Sequence, residues 1–349
     1  MAEKTRVWIV GCGGIGGVFA AHLAGQSSVD LVVISRNPSI AEAIQRSGLK
    51  VSGVEQSRSI QLDVRTSVPD DEVDLVLIAT QPPGVEEAAR SVCSRLSPDG
   101  AVVVLQNGLC EHRVAEIVGE ERVLGGIVTF GASTAGPGVV IRTSAGGVVL
   151  GRLGGGVGRQ VQRLTELLSS IGPVTATENL IGARFSKLAL NCAVSSLGTV
   201  AGTTLGTLLG RATARTLALR IMRETVAVAR AEGITLEPVV GPLRLSWLAN
   251  PDAAMSGPSH WAKHLLLMLV GLKYRRLRSS MLSAIERGRP PAIDFLNGEV
   301  IARGARLGVD TPINAAVTGL VRDIAAGTTE PSLAHLQSLS VDPHTLGRA

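Results

Sequence analysis

The feature that most restricts this chain is a β-type run, Val7-Trp8-Ile9-Val10, which feeds without a spacer into Gly11-Cys12-Gly13-Gly14-Ile15-Gly16. Each glycine of this G-x-G-x-x-G has its own steric reason. Gly11 permits a tight turn, Gly13 lets backbone approach a pyrophosphate, and Gly16 lets the following helix lie close on the strand. Cys12, Gly14 and Ile15 complete the turn, and the helix opening there directs unpaired N–H groups and a partial positive charge at phosphates. A chain with 41 glycines can produce such a triplet by chance. Context supplies the specificity: Val18-Phe19-Ala20-Ala21-His22-Leu23-Ala24 has helical character, and Leu31-Val32-Val33-Ile34 returns as a second strand at βαβ spacing. The expectation is a dinucleotide-binding unit.

The second strand ends in Ser35-Arg36-Asn37. A carboxylate at this tip accepts hydrogen bonds from the ribose 2′-OH of NAD, whereas an arginine suits the 2′-phosphate of NADP. Asp30 lies at the wrong end of the strand. Ser35 and Arg36 therefore predict NADP(H), with Arg36 as a solvated turn residue the bland alternative.

Strand-like segments near 6–10, 29–34, 74–79 and 101–105 alternate with helical ones near 14–24, 39–47, 84–95 and 109–118. That alternation predicts a mainly parallel, doubly wound sheet. Val-rich runs from Gly125 to Leu150, broken by Gly136-Pro137-Gly138 and Gly146-Gly147, predict further strands and a hairpin. A helix after Gly154-Gly155-Gly156 and a last strand at Pro173–Ala176 complete the pattern. Past about Asn179 the period becomes helical, in segments including 182–197, 212–233, 261–287 and 293–307. The expected organisation is an α/β Rossmann domain over 1–180 and an all-α domain over 181–349.

Composition narrows the function. With 45% hydrophobic and 2% aromatic residues, the composition indicates cores built from Val, Leu, Ile and Ala, and disorder is not expected. The net charge of +5 comes from scattered arginines without a dense basic helix, which argues against nucleic acid and fits small anionic ligands. Four cysteines without C-x-x-C spacing follow no secretory leader, so reduced thiols and a cytoplasmic location are expected. Neither they nor the six histidines form a metal-ligand set. The uncharged stretch Leu188–Gly210 is long enough to span a bilayer, but Asn191, Ser195 and Ser196 would be costly in lipid, so buried helices and no membrane are expected.

On the first helix of the second domain, Arg184, Lys187, Asn191 and Ser195 recur every three or four residues and share one face among apolar neighbours. Such a row suits a cleft lining. Lys187 could protonate or polarise a carbonyl oxygen that gains charge as hydride reaches its carbon; otherwise it is a lysine snorkelling from a partly buried helix. Asn107, in Gln106-Asn107-Gly108, follows a strand and falls at the carboxyl edge of the sheet, although Asn-Gly is also a turn dipeptide. Gln81, in Thr80-Gln81-Pro82-Pro83, falls on the same edge. Farther on, Arg278-Ser279-Ser280-Met281 and Ile293-Asp294-Phe295-Leu296-Asn297-Gly298 set small polar groups in helical surroundings.

Together these residues resemble the ketopantoate reductase (2-dehydropantoate 2-reductase) family, whose members reduce a small branched 2-oxo acid with NADPH. The resemblance runs through the glycine turn, Asn107-Gly108, Lys187-Leu188-Ala189-Leu190-Asn191-Cys192, Ser279-Ser280-Met281-Leu282 and Ile293–Gly298, and so covers nearly the whole chain. It implies a Rossmann domain and a helical domain of 6-phosphogluconate-dehydrogenase-like plan, with the active site in the cleft between them. It further implies Arg36 for the 2′-phosphate, Asn107 near the nicotinamide ribose and substrate, Lys187 as catalytic acid, Asn191 and Ser280 on the substrate, and Ala132 lining the cofactor. Departures accompany it. The family's Lys is Gln81, its Glu before the Ile-Asp pair is Ala292, its second substrate-contacting Asn is Ser195, and an acidic residue after Ser-Ser-Met-Leu is Ala284.

The expected function is NADPH-dependent hydride transfer to a ketone or 2-oxo acid other than ketopantoate, on a small-molecule carbonyl substrate. An imine- or opine-type reductase and a catalytically inactive NADP-binding sensor are the alternatives. Cleft enzymes of this plan are often homodimers, and no segment of the sequence specifies an interface.

Overall fold

In the computed structural model, which describes residues 4–238 and 244–341, the alternating first half becomes a layered α/β unit. The chain divides into two units, Met1–Leu180 and Ile181–Ala349. The first opens with β1 (Thr5–Val10), α1 (Gly14–Leu23), β2 (Val29–Ile34) and α2 (Pro38–Ser47), followed by three short strands, β3 (Leu49–Gly53), β4 (Arg58–Ile60) and β5 (Asp63–Arg65). Then come β6 (Val73–Ile78), α3 (Val85–Cys93), β7 (Leu96–Val104), α4 (Glu111–Val118) and β8 (Val123–Val128). β9 (Ala132–Gly136), β10 (Val139–Arg142), β11 (Val148–Arg152), α5 (Arg159–Leu167) and β12 (Val174–Ala176) complete the unit.

The main sheet has the order β12-β11-β8-β7-β6-β1-β2-β5. It is parallel from β5 to β8, with β11 antiparallel to β8 and β12 parallel to β11. From β1 the chain winds outward through β2 to β5, then crosses back to lay β6 on the other side of β1. The winding reverses between β1 and β6, where ligands bind in sheets of this kind. The central strands are continuous apolar runs because helices cover both faces. Val7, Ile9, Leu77 and Val103 are fully buried.

Two features were not expected from the sequence. β3, β4 and the β9–β10 hairpin form a separate four-stranded sheet in the order β4-β3-β10-β9, so the Val-rich region is shared between two sheets. β9 and β10 pack against α1. The strands β4 and β5 are three residues each and mostly exposed, too short for a period-2 signal.

The second unit is helical: α6 (Leu180–Ala201), α7 (Leu205–Gly210), α8 (Ala212–Ala231), α9 (Leu245–Leu248), α10 (Gly257–Lys273), α11 (Ser280–Ile285), α12 (Asn297–Leu307), α13 (Pro312–Ala326) and α14 (His335–Val341). The segment expected as one helix over 261–287 is two. It is interrupted where Leu277 O accepts from Leu205 N (2.8 Å) and Arg278 bridges Thr204, after which the Ser279 side chain caps α11. The segment 293–307 likewise splits into a 3₁₀ turn, Ala292–Phe295, and α12, because Leu296 leaves helical geometry (φ −115°, ψ −94°). Among the described residues no helix is long and apolar enough to cross a membrane.

Candidate active site

Hydrogen bonding at the carboxyl ends of the central strands continues one residue past each strand. Gly11 N donates to Ile34 O (2.8 Å), Ala79 N to Val10 O (2.8 Å) and Leu105 N to Ile78 O (3.1 Å). Gly11, Ser35-Arg36, Thr80-Gln81 and Gln106-Asn107 thus leave the sheet side by side along one edge.

The glycine turn is enforced by close approach. Gly11 has φ +102°, and a Cβ there would lie 2.9 Å from Ala79 C and Thr80 N. A Cβ on Gly16 would lie 1.9 Å from Gly11 O, and one on Gly14 2.7 Å from the Ala132 carbonyl of β9. Gly13 differs: a Cβ there would meet nothing within 4 Å. Gly13 also caps α1 with no side chain, and the first turn of the helix carries no acidic residue. The result is an open cradle of backbone N–H groups, electrostatically suited to a pyrophosphate. Ile15 is half-buried, whereas Cys12 is buried and its thiol is pushed up to about 12, so it stays protonated and inert.

Ser35 is buried and Arg36 exposed, the latter in an ion pair with Glu87 on the first turn of α3. Both partners are more than half exposed, and such pairs are weak enough to be exchanged for a better anion. Gln81 is exposed, and its carbonyl accepts from Gly84 N (2.9 Å) to close the turn before α3. Asn107 is exposed beside it. Its neighbour Gln106 is buried and donates to Thr80 O (3.2 Å) and Thr80 Oγ1 (3.1 Å), tying the two edge loops together. Glu87 was missed by the sequence reading because it belongs to no motif, and the tying role of Gln106 was missed although the residue stands in the quoted Gln106-Asn107-Gly108.

In the helical unit, Lys187, Asn191 and Ser195 lie half-buried along one face of α6, with Arg184 fully buried one turn earlier. Two hydrogen-bonded clusters hold this helix. In the first, Ser279 Oγ donates to Ser195 O (2.8 Å), lies 2.8 Å from Thr199 Oγ1, and accepts from Leu282 N to cap α11. Ser280, the exposed first residue of α11, is thereby fastened close to Ser195. In the second, buried Asn297 donates to Cys192 O (3.2 Å) and to Asn314 Oδ1 (3.0 Å). Asn314 donates in turn to Glu224 Oε2 (2.7 Å), whose carboxylate also accepts from Ile313 N and Asn314 N (2.9 Å each). Burial outweighs these donors and holds the Glu224 carboxyl above its usual range. Ala292 opens its 3₁₀ turn half-buried, and Asp294, two residues on, is engaged by Arg322 (2.6 Å).

A doubly wound parallel sheet with a glycine turn at its point of reversal defines a dinucleotide-binding protein. Residues 7–155 match the model of the family described as Ketopantoate reductase PanE/ApbA, and residues 179–325 match its C-terminal counterpart. The chain belongs to the ketopantoate reductase family and is thus an oxidoreductase acting on a carbonyl or hydroxyl group. It is 28% identical over 319 residues to the 2-dehydropantoate 2-reductase of Pyrococcus horikoshii, covering 91% of this chain and 96% of that protein. The Pyrococcus abyssi 2-dehydropantoate 2-reductase is 25% identical, at 91% and 97% coverage. Among solved structures, a PanE/ApbA family ketopantoate reductase from Ralstonia eutropha superposes with a TM-score of 0.77 at 25% identity, covering 93% of this chain and 99% of that one. A D-mandelate dehydrogenase solved with NADH and anilino(oxo)acetate shares the fold, with a TM-score of 0.78 at 23% identity, covering 97% and 100%.

Proposed function

We propose that this protein is an NADPH-dependent reductase of a ketone or 2-oxo acid, with residues 1–180 binding the cofactor and residues 181–349 supplying the catalytic and substrate groups. The observation that carries the proposal is the half-buried row of Lys187, Asn191 and Ser195 on an otherwise apolar helix, in a chain whose glycine turn fits a pyrophosphate. When bound, NADPH supplies the hydride. Gly11 to Gly16 hold its pyrophosphate, Arg36 exchanges Glu87 for the 2′-phosphate with Ser35 beside it, and Gln81, Asn107 and Ala132 line the cofactor. Lys187 donates a proton to the carbonyl oxygen as negative charge develops there. Asn191, Ser195, Ser280 and Asn107 hydrogen-bond and orient the substrate.

Ketopantoate is a poor substrate in this reading. The resemblance places a Glu at Ala292 and a Lys at Gln81, and Asp294, two residues on, is exposed and paired with Arg322. A site that has lost an acceptor and a cation discriminates strongly against a substrate recognised through them. The surroundings of Ala292 favour a bulkier or less hydroxylated ketone.

Steady-state kinetics with NADPH and a panel of 2-oxo acids and ketones test the proposal. Turnover of at least one carbonyl is expected, with a kcat/KM for ketopantoate below about 10⁴ M⁻¹s⁻¹. Lys187→Ala should cut turnover roughly 100-fold with NADPH affinity retained. Arg36→Ala should weaken NADPH roughly 10- to 100-fold and leave NADH nearly unchanged. Ketopantoate turnover above that threshold removes the substrate proposal. NADPH binding with no carbonyl reduced points instead to a sensor, and turnover that requires an added amine points to an imine reductase.

A further inference from the structure

The tip of β2 has little to offer an anion except one side chain. The Ser35 hydroxyl turns back to Asn37 O (3.4 Å), and the Asn37 side chain accepts from Ser39 N (3.0 Å) to cap α2. Ile40 N and Ala41 N both donate to Asn37 O (3.1 and 3.2 Å), and Pro38 carries no N–H, so the backbone donors that open α2 are spent on the chain itself. Arg65, whose carbonyl accepts from Ser35 N (2.9 Å), has its guanidinium on Asp63 (2.8 Å) and within 3.9 Å of Asp71. Among the described residues of this tip Arg36 is the remaining cation, and a carboxylate holds it too.

That carboxylate comes from the first turn of α3, where Glu86 and Glu87 stand side by side with different partners. Glu86 lies between Arg90 (2.9 Å) and Arg113 (3.3 Å), whose hydrogen bonds hold its carboxyl below the usual range. Glu87 is paired with Arg36 instead. The pair reaches from the loop after β2 to the helix after β6 and draws the guanidinium over the turn before α3. Arg36 Nη2 lies 3.7 Å from where a Gly84 Cβ would stand. The ribose 2′ position is read at the tip of β2, so a phosphate there must take Arg36 away from Glu87. Glu87 then faces a group of nearly two negative charges, while Arg90 and Arg113 stay with Glu86. NADH carries a hydroxyl at that position and leaves the pair as it is.

We propose that Glu87 is a specificity-determining residue, a resident anion that competes with the 2′-phosphate for Arg36 and so narrows the preference for NADPH over NADH. Both side chains are more than half exposed, where an ion pair adds little to stability, so the effect of the pair falls on the cofactor and not on the fold. The inference rests on the proposed role of Arg36 as partner of the 2′-phosphate.

Fluorescence titration of the full chain with NADPH and with NADH tests it, at about 50 mM salt so that exposed charges are not fully screened. The measured quantity is the ratio of the two dissociation constants. Glu87→Gln should raise the preference for NADPH roughly 5- to 10-fold, whereas Glu86→Gln, one residue away but engaged elsewhere, should shift it less than about twofold. With Arg36→Ala already in place, the gain from Glu87→Gln should shrink to about twofold or less, since no guanidinium is left to compete for. A preference that Arg36→Ala lowers and Glu87→Gln leaves where it was overturns this inference alone. So does an equal gain from Glu86→Gln, or a gain undiminished in the Arg36→Ala background. A preference that Arg36→Ala does not lower, or an unmodified chain that binds neither cofactor, removes the role of Arg36 and this inference with it.

Discussion

The two units hold polar atoms in place by opposite means. At the carboxyl edge of the sheet the positioned groups are backbone, and what fixes them is missing atoms: Gly11, Gly14 and Gly16 bring main chains closer than any side chain allows. Along α6 the positioned groups are side chains, and what fixes them is added atoms. Ser279, Asn297 and Asn314 reach from distant segments to satisfy helix carbonyls or one another. The first arrangement is broken by adding a methyl group and the second by removing a hydroxyl or an amide.

The largest effect is expected in the first unit. Gly16→Ala sets a Cβ against Gly11 O with backbone on both sides, so it should cost about 3 kcal/mol or more, at the upper end of overpacking effects. Urea midpoint and NADPH affinity should fall together, and an unchanged midpoint would break the comparison. In the second unit, Asn297→Ala leaves Cys192 O and Asn314 Oδ1 without this donor in a buried site, at a cost of about 2–3 kcal/mol in the same assay. Ser279→Ala is milder. It removes a cap and the bond to Ser195 O, so about 1 kcal/mol is expected, with KM rising more than kcat falls because Ser195 and Ser280 lose their mutual register.

The smallest effect is a pH dependence to which His264 of the helical unit contributes, alongside His22 of the first unit, whose pKa burial lowers in the same direction. Arg215 Nε donates to His264 Nδ1, and His264 Nε2 lies 3.0 Å from His260 Nε2, an arrangement that suits neutral rings. Burial, with lesser contributions from His260 and Arg215, lowers the His264 pKa. A histidine held below its unfolded value contributes stability that is complete above about pH 6.5 and is lost as pH falls through the folded value. Urea midpoints should therefore decline from pH 7.5 to 5.5, and His264→Gln should flatten that decline.

How much was legible in advance follows the same division. Missing atoms are written in sequence as glycine, so the turn after β1 could be read directly, as could the row Lys187-Asn191-Ser195 from its spacing. The groups that hold the row could not. Ser279 meets Ser195 across 84 residues and Asn297 meets Cys192 across 105, and nothing local to either pair indicates the other. The break between α10 and α11 was hidden for a similar reason, since it depends on Leu277 pairing with Leu205. The strands β3 to β5 went unread because they are short and partly exposed, and Glu87 beside Arg36 because an ion pair leaves no periodicity.

The empty space above Gly13 has a consequence for how this chain drifts. Its companions in the turn are frozen by architecture: any lineage that keeps the fold keeps them, whatever it binds. Gly13 is under no such restraint, and a lineage that gave up dinucleotides could accept alanine there without disturbing a neighbouring atom. Of all the glycines in the turn, it is the one whose persistence records use.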